Sequence, residues 1–171
     1  MKRIAITLFI TLLFSPSTAF SQTRNRSRQR PPAKTTSSIS PVRTQGAQKV
    51  ADQIKHLTRF TYLLGGVASG IAAVDEAVRR NEASPAIVQK NQQSKTTVRT
   101  SIQGFRETLD RLEIEFRTTP ELQPYYIKLA GVASGAATAE ELAAGNQFDR
   151  AGRTLLDVVS RLADVLVIMR Q

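Results

Sequence analysis

The chain has 171 residues, no cysteine, no tryptophan and a formal charge of +10. Lack of cysteine excludes disulfides, thiol nucleophiles, thiolate metal sites and covalent haem attachment. Core packing alone must hold the fold, and roughly 150 residues behind a leader suit one domain.

The first residues read as an export signal. Lys2 and Arg3 precede an apolar run from Ile4 to Phe14, which Ser15-Pro16 breaks. Ala19 and Ser21 then place small side chains at −3 and −1 of a cut before Gln22. A cut after Ala19, with Ser17 at −3, is the alternative. The run is too short to cross a hydrocarbon core of about 30 Å. Residues 1–21 are therefore expected to be a signal peptide, and the mature protein periplasmic or extracellular and soluble.

Residues 22–46 carry Arg24, Arg26, Arg28, Arg30, Lys34 and Arg43 with no acid. They also hold three prolines and scattered Ser and Thr, so they cannot bury enough apolar surface to offset ordering entropy. This segment is expected to be a disordered basic tail. Residues 47–171 hold 16 Lys/Arg against 14 Asp/Glu, so the excess charge belongs to the tail and leader.

From Ala47 the pattern becomes helical. A first helix to about Arg80 has a stripe of Val50, Ile54, Leu57, Leu64, Ala68, Ile71 and Val78, widened by Phe60, Val67 and Val74. Ser84-Pro85 opens a second, because serine caps and proline suits the first helical position. That helix runs to about Thr118 through Val88, Val98, Ile102, Phe105, Leu109, Leu112 and Phe116. Asn91 and Lys95 fall on the same stripe and predict an irregular, poorly buried start. Glu107–Arg111 and Glu113–Arg117 read as outer-face i,i+4 pairs.

A third helix is expected from Thr119-Pro120-Glu121, or one turn later because of Pro124, to Gly145. Asn146 can cap the fourth, whose stripe is Phe148, Ala151, Leu155, Val158, Leu162, Val165 and Met169. The expected fold is all-α, an up-down-up-down four-helix bundle over residues 47–171. Two long hairpins that complete a core only as a dimer are the alternative.

Gly66-Val67-Ala68-Ser69-Gly70 recurs unchanged as Gly131-Val132-Ala133-Ser134-Gly135. Leu64, Ala72, Glu76 and Asn81 match Leu129, Ala137, Glu141 and Asn146 at the same offset, which implies a duplicated helical hairpin. Gly66 with Gly70, and Gly131 with Gly135, share a helix face and predict a waist of close helix packing, or a pocket or self-association surface. A phosphate cradle is excluded, since the motif reads as mid-helix and no Gly-Lys-Ser/Thr follows.

Little else suggests chemistry. Haem ligation would draw on His56 and Met169, but His56 falls on the polar side and about 10 Å deeper. A di-metal carboxylate bundle needs Glu-x-x-His pairs that the chain lacks. Glu140, Glu141 and Asp149 form a weak cation-site candidate, with Arg150 or Arg153 as competing partners. No cofactor and no catalytic residue is expected. The function read from the sequence is a non-enzymatic envelope module whose tail contacts anionic lipid, lipopolysaccharide or acidic wall polymer. Alternating arginines about 6.6 Å apart on an extended chain suit such surfaces. Nucleic acid is a less natural partner outside the cytoplasm, and a homodimer through a helix face is a further expectation. The competing reading is a small-ligand carrier or metal-binding bundle.

Overall fold

A computed structural model describes residues 40–171, and within them every regular element is an α-helix. Residues 1–21, expected to be a signal peptide, and most of the expected basic tail lie outside the described residues. Helix α1 spans Pro41–Arg79 and α2 spans Pro85–Thr118. A proline opens each, where its missing N–H costs nothing. The start of α1 at Pro41 rather than Ala47 is a correction. Residues 41–46 are ordered helix, because Gly46 is buried against Leu122 and Met169.

The expected third helix is in fact two. Helix α3 is Gln123–Leu129 and α4 is Val132–Ala144, separated by an extended Ala130 and a left-handed Gly131 at φ 94°. Helix α5 follows at Phe148–Met169. The connections before α2 and α5 share one geometry. Asn81 and Asn146 adopt φ of 60° and 59°, a conformation asparagine tolerates better than most residues. In each, the asparagine N–H donates three residues back and the next N–H five back: Asn81 to Val78 and Glu82 to Ala77, Asn146 to Ala143 and Gln147 to Leu142. Asn146 thus ends α4 rather than capping α5, and the left-handed position falls on it instead of Gly145. Ser84 makes no side-chain cap either.

Helix α1 packs against α2 and α5, while α3 and α4 both pack against α2 and α5. The entire α5 stripe from Phe148 to Met169 is buried, as are Val50, Leu57, Leu64, Ala68 and Ile71 of α1. Each fully buried Leu or Val contributes about 1.5–3 kcal/mol of transfer free energy. Val67 and Val78, expected in the stripe, are each 40% exposed.

The reason is unequal helix length. Phe148 and Gly152, at the start of α5, sit beside Thr61, Leu64 and Gly65. At the other end of α4, Arg99 of α2 donates to the carbonyls of Ala143 and Ala144. Beyond these points α1 and α2 continue without α4 or α5 alongside. Gly66–Arg79 and the first turns of α2 form a two-helix arm about 20 Å long at 1.5 Å per residue.

Candidate functional site

The two glycine motifs share a sequence but not an environment. In the second copy, Gly131 breaks the helix and opens α4. Glu113 of α2 reaches across, and its Oε1 accepts the N–H of Gly131 at 3.0 Å and of Ala133 at 2.8 Å. An anionic acceptor on the first free amides of a helix satisfies orphan donors and complements the dipole. Glu113 therefore serves as a cap from a distance, not as the partner of Arg117. Two turns on, a methyl group at Gly135 would lie 2.7 Å from Val158 Cγ2, which makes Gly135 a true close approach between α4 and α5.

In the first copy nothing among the described residues lies within 4 Å of a methyl at Gly66 or Gly70. Both are exposed on α1, so the expected close-packed waist exists at Gly135 and not at Gly66 or Gly70. The reading of both motifs as mid-helix holds only for the first.

Replacing Glu113 with alanine should lower stability by about 1–2 kcal/mol, since two buried-side amides lose their acceptor. Glutamine retains an oxygen and should lose less. Thermal denaturation reads the difference, and an alanine variant with the parental melting point would leave the cap without weight.

Arm residues missed as a set in the sequence are Asp75, Asn91 and Lys95. Asp75 Oδ1 accepts from Lys95 Nζ at 2.6 Å and from Asn91 Nδ2 at 2.8 Å. Asn91 and Lys95 are buried, and the start of α2 is regular helix, contrary to the irregular start expected. Glu76, not Asp75, faces Arg79 and Arg80. Two polar residues at stripe positions were the available signal, since buried polar groups require partners. The partner itself lies on another helix.

The remaining site candidates separate. Arg43 belongs to α1 rather than to a free tail: its Nε donates to Met169 O at 2.7 Å, and its guanidinium lies 5.6 Å from the Tyr125 ring centroid. The expected tail residue is thus held on the helical body by its contacts with Met169 and Tyr125. Arg24, Arg26, Arg28, Arg30 and Lys34 lie outside the described residues.

Glu140 Oε2 lies 2.7 Å from Arg106 Nε, an ion pair in which the N–H does not point along the contact. Glu141 and Asp149 are exposed. Among the described residues no three acidic or histidine side chains converge as metal ligands, so Glu140, Glu141 and Asp149 do not form a cluster. Arg99 and Arg106 hold this helix end, in place of the expected Arg150 or Arg153. His56 is exposed and Met169 buried. Gln48 and Lys55 hydrogen-bond Asp52 and hold its carboxyl below the usual carboxylate range.

Helix α1 carries several exposed apolar side chains, Tyr62, Leu63, Val67 and Val78. Fifteen consecutive residues from Phe60 to Val74 carry no charge. The helix is long and apolar enough to cross a membrane by length and composition, and only 22% of its most apolar stretch is buried. Between α1 and α2 run two adjoining depressions of about 390 and 410 Å³. Leu63, Val67 and Val74 form one wall; Lys90, Ser94 and Thr97 stand on the other.

No protein-family model, curated protein or solved structure matches the chain.

Proposed function

We propose that this is an exported, non-enzymatic envelope protein, in which a helical body presents interaction surfaces and a basic segment ahead of it contacts anionic surfaces. The body is an antiparallel four-helix bundle derived from a duplicated hairpin. The repeated pentapeptide and the shared asparagine turn geometry at Asn81 and Asn146 support that origin. The charged n-region, apolar run and small residues before Gln22 support export.

One observation carries the functional reading, the segregation of charge. Residues 22–39 hold Arg24, Arg26, Arg28, Arg30 and Lys34 with no acid. Residues 40–171 hold 17 Lys/Arg against 14 Asp/Glu. Each basic residue near an anionic membrane contributes roughly 1 kcal/mol, an attraction that fades within a Debye length of about 8 Å.

Cosedimentation with anionic vesicles tests this. A chain from Gln22 should bind at low salt and lose most binding at moderate salt. A chain from Ser38 keeps Ser40, whose hydroxyl bonds Glu121. It should show unchanged circular dichroism and melting point but little binding. Equal binding by both chains would move the contact onto the helical body.

A further inference from the structure

We propose that a groove between the first turns of α1 and the end of α5 holds one anionic phospholipid by its phosphate. On α1, Arg43, Ala47 and Ala51 follow one another at steps of four and so share a helix face. The two alanines leave room beside α5, where Leu166 and Met169 complete an apolar lining. The space measures about 450 Å³, within the range of small-ligand sites. Arg43 and Arg170 are its charged residues, and among the described residues no acid lines it.

Arg43 is held in place before any ligand arrives. Its Nε donates to Met169 O at 2.7 Å, and its guanidinium lies 5.6 Å from the Tyr125 ring centroid. Among the described residues neither Arg43 nor Arg170 forms an ion pair with a carboxylate. The Nη groups of Arg43 therefore keep their N–H donors, in a fork that matches phosphate oxygens. Fixing that fork in advance lowers the ordering cost of binding. Two cations beside one apolar groove also call for an anion to offset their repulsion.

The lining says what kind of anion. Bare phosphate would leave Ala47, Ala51, Leu166 and Met169 exposed to water, whereas a lipid covers them with its glycerol and first acyl carbons. An acidic peptide would bring backbone amides that such a lining cannot pair. Position in the chain agrees, since these residues directly follow the basic segment. This step rests on the reading of that segment as a contact for anionic surfaces, which would bring lipid to this end of α1. One headgroup contact is weak alone, so retention on vesicles still depends on the segment, and the two contacts reinforce each other.

Titration of dihexanoylphosphatidylglycerol, kept below micelle formation, into the isotope-labelled chain from Gln22 tests the proposal. Amide resonances of residues 43–51 and 166–170 should shift together and saturate. Arg170→Gln alters an exposed position and should keep the parental melting point. It should raise the dissociation constant about tenfold, the scale of one charge-assisted hydrogen bond. Arg161→Gln removes the same charge elsewhere on α5 and should leave the constant unchanged. Ala51→Glu places a carboxylate in the groove and should abolish saturation. Inorganic phosphate and dihexanoylphosphatidylcholine should each bind about tenfold more weakly than the anionic lipid.

No saturable shift at these residues overturns the proposal, as does binding indifferent to both Arg170→Gln and Ala51→Glu. Inorganic phosphate binding as tightly as the lipid would make this a free-anion site. Equal binding of the zwitterionic lipid would make it merely apolar, and either result overturns the proposal. Vesicle cosedimentation separates the two readings. Saturable groove shifts without segment-dependent vesicle binding would uphold the groove and defeat the role of the segment; the reverse would defeat the groove alone.

Discussion

Asp75→Ala should lower the stability of the arm by about 3 kcal/mol, the cost of leaving a buried charge without its counterion. The Lys95 side chain is 8% exposed and its Nζ lies 2.6 Å from Asp75 Oδ1. Without the carboxylate the ammonium is left buried with no counterion, or pulls its stem outward and opens the helix pair. Asn91 Nδ2 loses its acceptor in the same step. The opposite deletion is unequal. Asp75 is 35% exposed, so after Lys95→Met it retains water and the Asn91 N–H, while methionine fills the space of the lysine stem. That variant should cost under about 1 kcal/mol.

Hydrogen exchange locates the effect better than a global melt. Amides of residues 66–98 should lose about a hundredfold in protection in Asp75→Ala, with those of α5 little changed. If Lys95→Met proves the more damaging of the two, the triad works by packing and not by charge compensation.

How far the fold was legible follows from which forces are local. Helix α5 was readable residue by residue, because an amphipathic stripe of seven apolar positions needs only the helix period to be seen. Proline starts at Pro41 and Pro85 are likewise local effects, although the segment around Pro41 reads as too polar to order. Gly46 shows why: its burial depends on Leu122 and Met169, remote in sequence. The break between α3 and α4 was invisible for the same reason. Gly131 reads like Gly66, and only the Glu113 carboxylate, supplied from α2, distinguishes a helix start from a helix interior. The exposed faces of Val67 and Val78 required knowing that α5 begins at Phe148 and leaves α1 uncovered beyond Gly65. Periodicity shows that a face is apolar. It does not show what lies against it.

The two pentapeptides make that distinction measurable. Gly135→Leu should destabilise the protein by about 3 kcal/mol or more, whereas Gly70→Ala should stabilise it by up to about 1 kcal/mol. At Gly135 even the first carbon of a side chain would stand 2.7 Å from Val158 Cγ2, well inside van der Waals contact. Val158 is 2% exposed on the central stripe of α5, so it has no solvent side to move into. Relief must come from separating α4 from α5, which gives up packing along both helices. Gly70 occupies the equivalent position of the repeat, inside a continuous helix with nothing within 4 Å. There alanine meets no obstacle and gains the helix propensity that glycine lacks, chiefly through lower entropy of the unfolded chain. Chemical denaturation at low protein concentration, where self-association does not contribute, measures both. Outcomes of opposite sign would be inconsistent with any reading in which the two copies do the same job. Similar destabilisation at the two positions would mean that another segment of the chain packs against Gly70, and its open environment on α1 would have to be abandoned.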